Sequence, residues 1–324
     1  MTYNESQRIF TPELKAKLEV IGEVNWCKNG FPNNTNDLYK ELLGYNTIIT
    51  GRDSPFISRD VVKSNKDLAL IVHSRASIRK YIDFSIFDLG IKMANSAYAI
   101  APFVAEMALG FMISAARRID LHAENIKIGG WKSNKIPPTI TIFNKNIGIV
   151  GFGFVARELC KMLKPFSPIV YVFDPYVEDT IFRKYNVKRA SLREIFLNCD
   201  IVTIHAGLTE ETKGMINKDY LSLLHSNAII INTARGAIIH TEDLLEISYE
   251  KNLFLYLDVY EDEPLSANHP LRKYERAVLT PHIAGPSDDA LPYLGKAVIE
   301  NITAFLEGKC PKGLLTKDMA LRST

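Results

Sequence analysis

Paired cysteines, long apolar runs and blocks of like charge are all missing from this 324-residue chain. Cys27, Cys160, Cys199 and Cys310 stand apart, with no C-x-x-C pair among them. Cys160 and Cys199 lie inside apolar stretches and read as buried thiols of a reducing compartment, and no metal site is expected. The 39 basic and 37 acidic residues leave a net charge of +2 and are scattered along the chain. No basic stripe points to nucleic acid or a membrane surface. No uninterrupted apolar run approaches the ~18 residues of a membrane span. The polar start, Met1 to Arg8, lacks a signal-peptide core, so a cytoplasmic protein is expected. There is no internal repeat and no low-complexity tract. What is present, 47% apolar and 23% charged residues, describes an ordinary globular protein of one large or two average domains.

The most informative stretch is Asn146 to Ala156. The β-branched run Ile147–Val150 reads as a strand, and it enters Gly151-Phe-Gly153-Phe-Val-Ala156 and then a helix-like segment to Leu163. Gly151 permits the turn, Gly153 lets backbone approach a pyrophosphate, and Ala156 lets the helix pack on the strand. The helix N-terminus then offers N–H groups to the diphosphate. A second apolar run, Ile169–Phe173, ends in Asp174, about 20 residues on, where an acid meets the adenosine ribose hydroxyls. Pro175 and Tyr176 add no cation for a 2′-phosphate, so NAD is expected over NADP.

Residues 1–98 read as a small α/β unit, with a helix near Leu14–Leu18, strands at Ile48–Thr50 and Leu68–Val72, and a short helix at Asp83–Leu89. Asn29 to Asn36 is rich in turn formers and reads as a loop. Pro102–Arg117 carries a wide apolar stripe at helical spacing, with Pro102 in its first turn, and serves equally as core or as subunit interface. From Asn146 strands and helices alternate. Strands are expected at 147–150, 169–173, 201–204, 228–231, 254–257 and 278–279, and helices at 156–163, 192–197, 218–224 and 241–249. Continuous apolar strands between helices imply a parallel sheet covered on both faces, with ligand at the carboxyl ends of the strands. Asp288–Leu306 reads as a terminal helix returning to the first domain. The chain would then cross between domains twice and leave a cleft between them.

Four further stretches fall at strand ends: His205–Thr209, Asn232–Gly236, Asp258–Pro264 and Thr280–Gly285. Arg235 follows the fourth strand, and a guanidinium there can hold a carboxylate through two parallel bonds. His282 is the best-placed proton donor, since imidazole titrates near neutrality. An acid bonded to it would fix its tautomer and stabilise its cation. Spacing alone leaves Glu261, Asp262 and Glu263 as candidates for that acid.

Taken together, Gly151-x-Gly153-x-x-Ala156 with Asp174, Asn232-Thr-Ala-Arg-Gly236, Asp258-Val-Tyr-x-x-Glu-Pro264 and Thr280-Pro-His282 resemble the D-2-hydroxyacid dehydrogenase family over nearly the whole chain. The resemblance implies a doubly wound parallel-sheet (Rossmann) NAD-binding domain at 99–289. This would be inserted in a smaller flavodoxin-like α/β substrate domain, at 1–98 plus 290–324. It implies NAD(H)-dependent oxidoreduction of a small D-2-hydroxy acid or its keto form. In that family the arginine orients the substrate, the glutamate before the proline supports the histidine, and the histidine is the acid/base. Carried over, these are Arg235, Glu263 and His282, which selects Glu263 among the three acids. Cofactor contacts carry over to Gly151, Gly153, Phe154, Val155, Asp174, His205, Ala206, Thr233, Ala234, Arg235, Asp258, His282, Ala284 and Gly285. A homodimer through the nucleotide domain, including the helix at Pro102–Arg117, is also implied.

The first domain departs from the pattern. The family's loop after the strand at 68–72 carries glycines whose amides bind the substrate carboxylate. Here it is His73-Ser-Arg-Ala-Ser-Ile-Arg-Lys-Tyr-Ile82, without glycine, and Asn95-Ser-Ala-Tyr98 lacks the family's proline. Arg75, Ala76 and Ser77 are the expected substrate contacts, and Arg79 or Lys80 either receives a second anionic group or faces water. The other readings are an NAD(H)-sensing regulator or scaffold on the same fold, and a dehydrogenase of another small anion such as phosphite. A formate dehydrogenase is disfavoured, because Glu263 stands where glutamine would be expected.

Overall fold

The structure, a computed structural model, describes residues 1–27, 30, 35–63 and 65–322. Apart from Gly30, the 29–34 part of the expected loop at 29–36 lies outside the described residues; Thr35 already opens a helix to Leu42. The chain forms two compact units, residues 1–100 with 286–324, and residues 101–285.

The smaller unit is built on strands β1 (Thr47–Thr50), β2 (Leu70–His73) and β3 (Lys92–Asn95), parallel and in that order. A short strand, Leu314–Leu315, joins β3 antiparallel. β2 is buried at all four positions, as expected of a parallel strand covered on both faces. One face packs Ile57, Val61, Ile71, Ile86 and Met93; the other packs Ile9, Phe10, Leu70, Val72 and Leu294. The latter face is closed by helices Tyr3–Ile9, Pro12–Ile21 and Pro292–Leu306. Thr2 and Thr11 cap the first two of these through their hydroxyls. The short helix expected at Asp83–Leu89 is a 3₁₀ helix over Phe84–Leu89, capped by Asp83.

In the larger unit, strands β4 (Asn146–Val150), β5 (Ile169–Phe173), β6 (Lys188–Arg189), β7 (Ile201–Ile204), β8 (Ile229–Asn232), β9 (Phe254–Leu257) and β10 (Ala277–Leu279) form one parallel sheet. Their order is β10-β9-β8-β7-β4-β5-β6. The order reverses between β4 and β7, and that reversal opens a crevice at the carboxyl ends of the two strands. The fold class is thus α/β with a doubly wound parallel sheet. Two apolar layers cover its faces, one including Ile147, Ile149, Ala156 and Leu159, the other Val150, Ile195, Val202 and Leu221.

The long helix runs over Ala97–Arg117 and begins five residues before the expected start, which places Pro102 in its second turn. A proline there removes only one early intrahelical bond, and Ala101, Ala105, Ala108 and Met112 are buried around it. Glu106 interrupts its apolar run in the sequence, yet the whole helix is long and apolar enough, by length and composition, to cross a membrane. Seven of its side chains are buried inside the protein. Cys160 and Cys199 are buried free thiols, and burial pushes both up to about 12.

Candidate active site

The reactive groups of the larger unit gather at the carboxyl ends of β4, β7, β8, β9 and β10. Gly151, just past β4, has φ +89, and a Cβ there would lie 2.5 Å from the Ala206 amide nitrogen. Any other residue would be strained and would push away the strand end that carries His205. Gly153 caps the helix Phe154–Leu163 without a side-chain bond, so the first-turn amides of Phe154 and Val155 meet no capping oxygen. Asp174 closes β5. Its Oδ2 accepts from the Phe152 amide at 2.8 Å and its Oδ1 from the Tyr176 amide at 2.9 Å. The acid is thereby fixed against the glycine turn, with a lone pair on each oxygen left for hydroxyl donors. These groups fit the diphosphate and adenosine ribose of a dinucleotide.

One cation near Asp174 is not visible from its sequence neighbours. Arg189, on β6, donates to the Asp174 carbonyl at 3.2 Å and to the Val177 carbonyl, and pairs with Asp179 at 2.8 Å. Sheet pairing brings it there, because Arg189 lies beside Val172.

His205 and Ala206 follow β7. The His205 amide donates to Val150 at 2.7 Å, and its Nε2 lies 3.0 Å from the Thr203 hydroxyl. Desolvation holds that imidazole down to about 3, so it is neutral. At the end of β8, Asn232 is clamped inside the turn: its Oδ1 accepts from the Ala234 amide at 3.0 Å, and its Nδ2 donates to the Arg235 carbonyl at 3.0 Å. Thr233 is buried, and its hydroxyl has no partner among the described residues. Arg235 donates through Nη1 to the Ala234 carbonyl at 2.6 Å. Burial lowers the affinity of its guanidinium for the proton, and the charge of Glu263 opposes that.

Asp258, at the end of β9, is fully buried. Its Oδ1 accepts from the Thr280 hydroxyl and the Ile283 amide, its Oδ2 from the Ala284 amide at 2.7 Å, and its backbone carbonyl from the His282 amide at 2.8 Å. One carboxylate thus shapes the whole turn that carries His282. His282 itself has φ +54. Its Nδ1 lies 2.7 Å from Oε2 of Glu263, while Oε1 of Glu263 accepts from the Tyr260 amide at 3.1 Å. The Tyr260 hydroxyl is shared between the Leu257 and Thr280 carbonyls, at 3.1 and 2.9 Å. Glu263 therefore meets the imidazole, whereas Glu261 accepts from Thr241. Nε2 of His282 is left as the ring atom able to pass a proton, and the side chain is about half exposed (48%). Gly285 ends the unit.

The structure thus brings Glu263 and His282 into contact on the turns after β9 and β10, with Arg235 close enough to Glu263 to respond to its charge. Asn232 and Tyr260 were not singled out as site residues from sequence. An asparagine ending a strand before a turn is a recognisable signal for the first; nothing local announces the second.

The expected substrate contacts of the smaller unit lie just after β2. Arg75 donates through Nε and Nη2 to Oε1 of Glu5, at 3.3 and 3.2 Å. Glu5 is buried and also accepts from the Arg52 and Asp53 amides. The Arg75 carbonyl accepts from the Ser96 amide and the Ala76 carbonyl from the Asn95 amide group. The amides of Arg75, Ala76 and Ser77 donate to no acceptor among the described residues. Arg79 is exposed and donates to the Leu321 carbonyl, and Lys80 is exposed. His73 is buried against Thr50 at 2.9 Å and stacked on Tyr81; desolvation pushes its imidazole down to about 3.

Among the described residues no cluster of three or more His, Cys, Asp or Glu is arranged to hold a metal ion.

Residues 109–284 match the model of a family described as D-isomer specific 2-hydroxyacid dehydrogenase, NAD binding domain. A glyoxylate reductase of Thermofilum pendens is 32% identical over 237 residues, 71% of this chain and 69% of that protein. A D-3-phosphoglycerate dehydrogenase of Methanocaldococcus jannaschii is 27% identical over 300 residues, 92% of this chain and 56% of that one. The chain spans about half the length of the curated D-3-phosphoglycerate dehydrogenases it matches. Among solved structures, the PH0520 protein from Pyrococcus horikoshii superposes with a TM-score of 0.81 at 24% identity, covering 96% of this chain and 93% of that one. That likeness shows the fold.

Proposed function

The chain belongs to the D-isomer specific 2-hydroxyacid dehydrogenase family, and we propose that it exchanges a hydride between NAD(H) and a small 2-keto or D-2-hydroxy acid. The observation that carries this reading is the 2.7 Å contact between Nδ1 of His282 and Glu263, on a turn that Asp258 holds from beneath. When bound, the nicotinamide supplies or takes the hydride at the substrate carbon. Glu263 fixes the imidazole tautomer so that the proton on Nε2 faces the substrate oxygen. His282 gives that proton during reduction and takes it back during oxidation. Arg235, desolvated and clamped at its carbonyl by Asn232, offers its remaining N–H groups to the substrate carboxylate.

On the cofactor side, Gly151, Gly153, Phe154 and Val155 receive the diphosphate, and Asp174 receives the ribose hydroxyls. His205, Ala206, Thr233, Ala234, Asp258, Ala284 and Gly285 line the remainder. Asp174 repels a 2′-phosphate, and Arg189 is occupied by Asp179 and two carbonyls, which favours NAD over NADP. The unbonded amides of Arg75, Ala76 and Ser77 take the substrate carboxylate in place of the family's glycine loop. A homodimer through the larger unit is supported by the exposed apolar side chains of Ile119, Ile126, Ile128 and Trp131, which follow the long helix in the chain.

The test is NADH oxidation over a panel of 2-keto acids, with NAD⁺ reduction by phosphite assayed alongside and NADH binding measured in parallel by fluorescence. Turnover of one or more keto acids is expected. Tight NADH binding with no turnover across the panel would instead favour a nucleotide-sensing protein, and turnover of phosphite alone would change the substrate.

A further inference from the structure

At the carboxyl ends of β1 and β2 lies a buried ion pair, made by residues 70 positions apart in the chain. Side-chain exposure is 5% for Glu5 and 17% for Arg75, well below that of the other lysine and arginine ion pairs at the surface. Glu5 is held from two directions: Arg52 and Asp53 donate backbone amides to it, and Arg75 donates Nε and Nη2 to its Oε1. The fit depends on Gly51, where a Cβ would lie 2.2 Å from Oε2 of Glu5. A charge pair so enclosed is costly to build unless each charge cancels the other, so this position requires an explanation.

The charges facing this loop are the guanidinium cations of Arg52 and Arg75 and the acids Glu5 and Asp53, all four acting on the Tyr81 hydroxyl. The Met1 ammonium, bonded to the Ile49 carbonyl, also faces His73, Glu5 and Asp53, but burial lowers it to about 6, so it is mostly neutral at neutral pH and the sum there is close to zero. His73 adds no charge at neutral pH, because it is buried as the neutral ring. Arg79 is turned onto the Leu321 carbonyl, and Lys80 lies exposed on the outer turn. The segment that offers amides to an anion thus carries one guanidinium, and a carboxylate already occupies two of its nitrogens.

We infer that the Glu5–Arg75 pair is a specificity element: it leaves the loop without net charge, so that the protein favours 2-keto acids with a single carboxylate over those bearing a second anionic group. The inference rests on the proposed reaction and on residues 75–77 receiving the substrate. Its physical basis is that one carboxylate is satisfied by hydrogen-bond donors alone, whereas a phosphate or second carboxylate, once desolvated, needs an unshared cation. Glu5 would act through Arg75 as a positioning residue, without touching substrate.

The experiment compares kcat/KM for glyoxylate and hydroxypyruvate with that for oxaloacetate and the phosphate ester of hydroxypyruvate. It uses the full chain as wild type, Glu5→Gln and Glu5→Gln/Arg75→Gln. Glutamine keeps the acceptor for the Arg52 amide, gives up the longer 3.5 Å bond from the Asp53 amide, and releases the guanidinium from its counter-charge. The wild type should favour the one-carboxylate substrates by about tenfold or more, Glu5→Gln should move that ratio about tenfold toward the two-anion substrates, and the double variant should return it to near the wild-type value. Melting temperature and NADH fluorescence report whether each variant is folded. If Glu5→Gln does not fold, the wild-type ratio and the double variant still decide. A wild type that prefers two-anion substrates overturns the inference, as does a folded Glu5→Gln whose ratio stays within about twofold of wild type. In those cases hydride transfer stands and only the specificity element falls. NADH binding without reduction of any keto acid removes the proposed function and this inference together.

Discussion

The two units hold their reactive side chains in different ways. In the larger unit, carboxylates are held by backbone amides. Asp174 receives Phe152 and Tyr176, Asp258 receives Ile283 and Ala284, and Glu263 receives Tyr260. In the smaller unit Glu5 receives the Arg52 and Asp53 amides but also pairs with a guanidinium, that of Arg75. A carboxylate fixed by amides keeps its charge and spare lone pairs for a ligand. A carboxylate that also meets a guanidinium has its charge cancelled and its lone pairs taken. The first arrangement suits chemistry and cofactor binding, and the second suits shaping a loop while hiding charge.

This contrast can be broken in four places, in descending order of effect. Removing the amide-held acid at the imidazole should be the most damaging: Glu263→Ala is expected to lower kcat on the order of a hundredfold while leaving NADH affinity within a few-fold, read by steady-state kinetics and fluorescence titration. Asp258→Asn is next. An amide cannot accept from all of Thr280, Ile283 and Ala284, and turning its NH₂ toward any of them leaves a buried donor unmatched, at a cost of about 1–3 kcal/mol. A lower melting temperature together with a drop in kcat of about tenfold is expected; a fall in stability with unchanged kcat would show that the turn does not position His282.

A third test uses pH, to which both units contribute alike. His73 and His205 are each pushed down to about 3 when folded, whereas an unfolded histidine takes a proton near about 6.5. Between those values the unfolded chain binds more protons. Stability is therefore full above about 6.5 and is lost as pH falls toward about 3. Denaturant melts from pH 7 to pH 4 should show this decline, and His73→Gln should reduce its slope; an unchanged slope would mean that His73 is not buried as the neutral ring. The smallest effect is expected at the ribose acid. Asp174→Ser removes the charge that repels a 2′-phosphate and should narrow the preference for NADH over NADPH by about tenfold in kcat/KM.

The same contrast explains what could be read from the sequence. Glycine turn, ribose acid and strand-end motifs are each contiguous in the chain, so Gly151, Asp174, Arg235 and His282 could be located without a structure. The long strands were also legible, because β4, β5, β7 and β9 are continuous apolar runs. β6 was not, since it is two exposed basic residues, and with it went the placement of Arg189 beside Asp174. Spacing alone left three acids open for His282, and the fold of residues 260–263 turns Glu263 onto the ring while Glu261 goes to Thr241. Glu5 gave no sign of itself, because its partner is 70 residues away and polar residues near a chain start usually face water. The long helix begins earlier than expected because Pro102 reads as a first-turn residue, whereas the helix starts directly after Ser96 and takes Pro102 into its second turn.

The most direct test of the central claim is single-turnover oxidation of bound NADH by a reducible 2-keto acid in wild type and His282→Gln, with NADH affinity measured on the same samples. The account predicts a rate lower by about 10²–10⁴ in the variant with affinity changed less than about threefold. A variant that oxidises NADH at the wild-type rate would contradict it.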